Sequence, residues 1–372
     1  MRYTKIALSV AMFAAALSAQ AADIQIYGRV DSGLMFTDAE GVKSKTELIS
    51  GGRSASRLGF NIVEDLGNGY KVKAYLENGF KLDSGEFSTE GSLFDRRSIL
   101  AVQGPWGEIG GGRAGTVQST SAPYSMGAIK WDVFGTSYKQ ASIGTTFANS
   151  SRVNNSINYV SPVINNLKFG LSYSTGDKKE MNKDDEPLEW QEKQHTFAAA
   201  VNYISDNLFM ALTFANVDKA HDENTGATYN DGRAYQMGAW YRLNPEVRLF
   251  GGLGYQTNWS TGAKLGFEDD WTAEEKAGGW DGYSAVIGAE YKTGPHKLMA
   301  DVQHFSGDLA NNSAKEFKRT VYAVGYEYSF AKKVIGYTAL NFSDASGSAT
   351  KHTTSAEALD TWQAFLGLCW LF

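Results

Sequence analysis

Apolar and polar residues take turns along most of this chain, and a two-residue period is the mark of a strand with two unlike faces. In Ile24-Gln25-Ile26-Tyr27-Gly28-Arg29-Val30-Asp31, the isoleucines share one face, and Gln25, Arg29 and Asp31 share the other. Tyr70-Lys71-Val72-Lys73-Ala74-Tyr75-Leu76-Glu77 repeats the arrangement, with Lys71, Lys73, Tyr75 and Glu77 together. The last segment sets Trp362, Ala364, Leu366, Leu368, Trp370 and Phe372 on one face. No amphipathic helix of ordinary length competes with this pattern.

Sixteen such segments can be read, at about 24–36, 53–65, 69–81, 93–104, 107–113, 151–160, 167–175, 195–204, 207–216, 232–242, 247–257, 281–292, 296–305, 319–330, 333–342 and 361–372. Short connections, such as Leu66-Gly67-Asn68, Pro105-Trp106 and Ala331-Lys332, alternate with long ones centred near 45, 87, 132, 185, 225, 269, 312 and 351. The long ones are rich in Gly, Ser, Asn, Asp, Glu and Lys. A soluble β-sandwich gives no reason for such alternation. A transmembrane barrel with an even strand number does, because turns gather at one rim and loops at the other. In hydrocarbon every backbone donor needs a partner, and only a closed barrel removes the sheet edges. At sixteen strands the interior is too wide for side chains to fill, so a water-filled lumen is expected.

The chain ends and composition agree with this reading. Arg2 and Lys5 precede a run of apolar or small residues ending in Ala19-Gln20-Ala21, a small-x-small cleavage pattern. Residues 1–21 are therefore expected to be an export signal, and 22–372 the barrel domain. The run is shorter than the ~20 residues a helical span needs. A formal charge of −6 argues against a nucleic-acid partner. Cys369 is the one cysteine; it can make no internal disulfide and is expected to be buried or lipid-shielded. Tyr70, Phe94, Tyr159, Tyr173, Trp240, Tyr283, Tyr328, Trp362 and Trp370 lie near strand ends, where aromatic girdles form.

Charge then assigns faces. A lysine or arginine on the lipid face at mid-bilayer costs ~2–4 kcal/mol. Clean alternation therefore sends Gln25, Arg29, Asp31, Arg57, Asn61, Lys71, Lys73 and Glu77 to the lumen, and Leu58, Phe60 and Ile62 to lipid. Asp95-Arg96-Arg97 is less regular, since adjacent arginines on a regular strand point opposite ways. Reading Ile99 and Ala101 as lipid-facing puts Arg97 outside with them and leaves Arg96 inside.

No site for catalysis, metal or cofactor emerges. Gly110-Gly111-Gly112-Arg113-Ala114-Gly115 lacks the strand–helix context of a nucleotide loop. His195, His221, His296, His304 and His352 show no metal spacing. Alternation assembles no Ser/His/Asp set, so an enzyme is not expected.

Particular motifs carry a family likeness. Tyr27-Gly28-Arg29-Val30-Asp31, Ser56-Arg57-Leu58-Gly59-Phe60, Glu64-Asp65-Leu66-Gly67-Asn68-Gly69, Leu93-Phe94-Asp95-Arg96, Gly112-Arg113 and Tyr159-Val160-Ser161-Pro162 follow one another in order. Together with terminal Phe372 they resemble the general Gram-negative outer-membrane porins, nearest the neisserial and β-proteobacterial branch. The resemblance implies an antiparallel sixteen-stranded barrel with short periplasmic turns, long outer loops and a third loop folded inward. It implies a homotrimer in the outer membrane that passes ions and small hydrophilic solutes by diffusion. It places a basic wall at Arg29, Arg57, Arg96 and Arg152, with Arg113 and Lys73 as additions, opposite a constricting loop from Ala114 to about Ser150 that carries Tyr124, Lys130, Asp132 and Tyr138. It makes Trp370 and Phe372 an assembly signal for the barrel-assembly machinery, and Leu82 to Ser92 a latch onto a neighbouring subunit.

The loop departs from the family pattern, because Asp132 is its one carboxylate, against Lys130 and Lys139. The expected eyelet is net basic and passes anions at least as well as cations. The rival reading is a channel selective for sugars or organic anions, for which inward Tyr27 and Tyr75 could begin an aromatic ladder. Asp184-Asp185-Glu186, Asp222-Glu223 and Glu268-Asp269-Asp270 on outer loops could hold divalent cations that bridge lipopolysaccharide, or simply be solvated charge.

Overall fold

The computed structural model describes residues 22–135, 138–150, 152–176, 195–218, 230–259, 279–348, 350 and 359–372. The three acidic clusters fall outside them. Seventeen strands follow in order: β1 (Asp23–Ala39), β2 (Val42–Ser50), β3 (Arg57–Gly67), β4 (Tyr70–Gly79), β5 (Arg97–Gly104), β6 (Gly107–Gly115), β7 (Arg152–Val160), β8 (Leu167–Ser174), β9 (Thr196–Ile204), β10 (Leu208–Val217), β11 (Gly232–Arg242), β12 (Val247–Trp259), β13 (Trp280–Thr293), β14 (His296–Leu309), β15 (Asn312–Ala331), β16 (Val334–Ser346) and β17 (Thr361–Leu371). Each pairs antiparallel with its neighbours, and β17 returns to β1 from Arg29↔Leu371 to Ala39↔Thr361. The ring has sixteen positions, because β2 and β3 share one. β2 pairs with Ser32–Ala39 of β1 and β3 with Asp23–Arg29. Phe372 adds the last link, exchanging two backbone hydrogen bonds of 3.2 Å with Gly28.

Two connections read as long loops are tight hairpins instead. β1 turns at Glu40-Gly41 into β2, and β14 turns at Ala310-Asn311 into β15. Their outer strands, VKSKTELIS and the start NSAKEFK, are mostly polar, with Ile49 and Phe317 turned into the interior. So few apolar residues make too short an alternation to mark them. Gly41 closes the first turn at φ 71°, a conformation that favours glycine.

Alternation is otherwise obeyed. Leu34, Phe36, Leu100, Val102, Leu253, Ile287, Val324, Leu366 and Trp370 stand exposed on the outside, where hydrocarbon covers them. The exception is the reading of Arg97. Ile99 and Ala101 are buried on the inner wall, Leu100 and Val102 face lipid, and Arg97 therefore points inward with Ile99. The inner wall has an apolar stretch of its own, so apolar residues there do not mark the lipid side.

What covers that stretch is the loop of residues 116–135 and 138–150, which lies inside the barrel. Val117, Tyr124 and Met126 pack with Ile99, Ala101 and Ala114. Further round, Trp131 and Phe147 pack with Phe209, Ala211 and Val286, while Phe134 and Tyr138 meet Tyr337 and Phe365. Wall glycines seat the rings. A Cβ added at Gly238 would lie 2.1 Å from the Trp131 ring, and one at Gly252 2.3 Å from it. At Gly251, one residue along and on the other face, the nearest group is the Val286 carbonyl at 3.8 Å. Overpacking of a filled core costs about 1–3 kcal/mol. Gly252→Ala should therefore lower unfolding stability by that order and alter single-channel conductance, while Gly251→Ala leaves both near wild type. Denaturant unfolding in detergent and planar-bilayer recording check the pair; equal behaviour of the two variants would contradict the seating.

Candidate pore constriction

The second barrel position is broken by Gly51-Gly52-Arg53-Ser54-Ala55-Ser56, and this segment turns into the lumen. Fully buried Asp31 gathers it. Its Oδ2 accepts the Ser54 N–H at 2.9 Å, its own N–H donates to Ser56 Oγ at 3.1 Å, and its Oδ1 accepts the Tyr337 hydroxyl at 2.8 Å. Gly51 makes the turn at φ 78°. Arg53 is thereby delivered to Glu327 as a two-point pair, Nε–Oε1 2.8 Å and NH2–Oε2 3.2 Å. The sequence shows Arg53 only as a strand-end residue; the Gly51-Gly52 doublet is the one hint of the inward turn.

A single carboxylate underlies most of the basic wall. Glu77 of β4 is 1% exposed. Its Oε1 pairs with Arg96 Nε at 2.7 Å and lies 3.8 Å from Arg57 NH1; its Oε2 pairs with Arg97 NH2 at 3.3 Å and accepts the Tyr27 hydroxyl at 2.8 Å. Three guanidiniums thus share one negative charge. Their planar forks allow this, since each offers several donors at fixed angles. Arg29 reaches the same region and donates to Ser54 Oγ.

Across the lumen the charges alternate from strand to strand. Arg248 of β12 pairs with Glu290 of β13 at 2.5 Å, Glu290 with Lys297 of β14 at 3.3 Å, Lys297 with Glu327 of β15 at 3.9 Å, and Glu327 with Arg53. Adjacent strands lie about 4.8 Å apart, which suits such a ladder. The inward loop ties into its end: Tyr138 Oη donates to Glu327 Oε1 at 2.8 Å. Burial, and then the Glu327 charge, hold the Tyr138 hydroxyl far above its ordinary pKa, so it stays a donor.

Between wall and loop lies a cavity of about 780 Å³. Of the residues read as site residues, Arg29, Arg57, Arg96, Arg152, Lys130 and Asp132 line it; Arg53, Arg97, Arg248 and Lys297 join them. The Asp132 carboxylate serves the loop's own backbone, accepting the N–H of Phe134 at 2.9 Å and of Ile143 at 3.3 Å. Tyr124 and Tyr138 are buried against the wall and seat the loop. Arg113 and Lys73 lie apart from the cavity lining: Arg113 holds the Asp95 carbonyl and the Asn154 side chain, and Lys73 pairs with Glu108 at 2.9 Å. Inward Tyr27 and Tyr75 donate to Glu77 and Glu108, so these two rings serve ion pairs on their own wall. At the chain end, Trp370 faces lipid and its ring packs 5.6 Å from that of Phe372. Cys369 is buried on the opposite face of the same strand. Among the described residues no group of three or more His, Cys, Asp or Glu is arranged for a metal.

This geometry has relatives. The family model described as Gram-negative porin matches residues 7–348. An outer membrane porin protein of Bordetella pertussis is 27% identical over 362 residues, covering 87% of this chain and 89% of that one. Among solved structures, an anion-selective porin from Comamonas acidovorans superposes with a TM-score of 0.71 at 21% identity, covering 95% of this chain and all of that one. The Vibrio cholerae outer membrane protein OmpT in a trimer form gives 0.59 at 13% identity, covering 95% of this chain and 100% of that one. With a closed barrel of sixteen positions, a charged lumen and a loop packed inside it, the chain belongs to the Gram-negative porin family and is a multi-pass outer-membrane diffusion channel.

Proposed function

We propose that the cavity between the arginine wall and the inward loop is the constriction of a general diffusion pore, and that it favours anions. One observation carries this reading: nine cationic side chains line the cavity against three carboxylates. Those three are already engaged. Glu290 lies between Arg248 and Lys297, Glu327 between Arg53 and Lys297, and Asp132 on loop backbone. The excess positive charge sits in Arg29, Arg57, Arg96, Arg97, Lys130 and Arg152, with Glu77 beneath Arg57, Arg96 and Arg97. Charged rings in a narrow aqueous passage set which ions enter, and low-dielectric walls focus their field. The anion-selective Comamonas acidovorans porin is a precedent for the same fold doing this. Lys73 and Arg113 contribute to the field from a distance.

The same reading extends to assembly. Export would remove residues 1–21. The pair of exposed Trp370 and half-buried Phe372 would present the final strand to the barrel-assembly machinery. Residues 82–91 are exposed and suit a latch between subunits of a homotrimer, the state named for OmpT. Lipopolysaccharide would surround the outer rim.

Reversal potentials in a salt gradient test the selectivity, and the expected sign is that of anion preference; clear cation preference would overturn it. Lys130 is exposed on the loop, so Lys130→Glu should fold normally. It changes the eyelet charge by two units, worth roughly 0.8 kcal/mol at about 10 Å in water. The anion-to-cation permeability ratio should fall several-fold, and the difference from wild type should shrink as salt shortens the Debye length. In bilayers, channels should insert in units of three equal conductance steps; single isolated steps would argue against the trimer.

A further inference from the structure

Beneath the inward loop, one row of the inner wall runs across three strands. Asp301 of β14 is paired with Ala323 of β15, and Ala323 with Asn341 of β16. The turn Lys139–Ala141 of the loop packs over β15 and β16. Asp301, Asn341 and Gln140 are 5%, 1% and 2% exposed. Asp301 Oδ2 accepts Gln303 Nε2 at 3.0 Å, and Asn341 Nδ2 lies 3.5 Å from the Tyr138 carbonyl. Asp301 Oδ1, Asn341 Oδ1 and both amide atoms of Gln140 meet no partner from the protein.

The charge problem is sharper than the hydrogen-bond problem. No lysine, arginine or histidine among the described residues forms an ion pair with Asp301, which meets Val133 over Gly288, and Asp132 beside Val133 is also 5% exposed. A buried carboxylate costs several kcal/mol unless it is compensated. Here a second carboxylate adds repulsion.

The donor set answers both. Ala323 stands between two short oxygen-tipped side chains. Their strands stand about 4.8 Å from the one between, so the chains face each other across roughly 10 Å of backbone. Leaning together, their oxygens can approach to about twice a calcium–oxygen bond of 2.3–2.6 Å. Gln140 supplies a third oxygen from the loop side.

We propose that one hard cation of the calcium class binds between Asp301 and Asn341 under Gln140, and clamps the middle of the inward loop to β14 and β16. Its ligands are Asp301 Oδ1, Asn341 Oδ1 and Gln140 Oε1, completed by water, and the Asp132 charge adds attraction. The site is separate from the arginine wall and does not depend on the sign of ion selectivity.

Thermal unfolding of the full barrel in detergent, free of lipopolysaccharide, tests this with calcium chloride as the probe. Calcium should raise the wild-type midpoint, and chelation should lower it to that of Asp301→Asn. The variant should lose the response or need at least about tenfold more calcium. Asn341→Asp adds ligand charge and should need about tenfold less. If Asp301→Asn is as stable as wild type and keeps the full calcium response, a proton shared with Asp132 suffices and the cation site falls. Should Asp301→Asn fail to fold, Asn341→Asp decides: a lowered calcium requirement upholds the site, and an unchanged one overturns it.

Discussion

The rest of this molecule depends on backbone hydrogen bonding in hydrocarbon. A peptide group there has no water to turn to, so each strand must find two neighbours and the sheet must close. Closure is completed at the chain's two ends, where β17 lies along β1 and Phe372 bonds to Gly28. Once the ring is closed, a residue's parity decides whether it meets lipid or lumen. Leu34 and Phe36 go out, Arg29 and Asp31 go in, and the charge of the lumen follows from a pattern set by the bilayer.

A ring of sixteen positions leaves more interior than its own side chains can fill. The loop residues 116–135 and 138–150 take part of that space, and they need an apolar footing. Glycine and alanine on the inner wall provide it, with Trp131 over Gly238 and Gly252 and Val133 close to Gly288. The inner wall is therefore apolar under the loop and charged where it meets water. That division is why Ile99 and Ala101, apolar as they are, point inward and carry Arg97 with them.

The electrostatics follow from confinement. Arginines crowd one side because a wet lumen screens them and because Glu77, Tyr27 and the Ser54 hydroxyl share the load. The opposite side neutralises itself by alternation from Arg248 to Arg53. The loop offers the channel Lys130, while its one carboxylate turns to its own backbone.

Alternation alone determined the class of fold, the number of barrel positions and the side on which Arg29, Arg57, Lys73 and Glu77 stand. It could do so because lipid punishes every misplaced charge. It missed the β1–β2 and β14–β15 hairpins, since the mostly polar strands VKSKTELIS and NSAKEFK carry too short an apolar alternation to read. Tertiary structure alone decided the rest. Arg53 enters the lumen because Asp31 gathers a segment next to it in space, 22 residues on in the chain. Arg97 faces inward because a loop from later in the chain covers Ile99. Tyr124 and Tyr138 became anchors through contacts with strands distant in the sequence, and Arg113 a brace for the Asp95 carbonyl at the entry to β5. Period reports which side of one strand is apolar; only the closed ring says what stands opposite it.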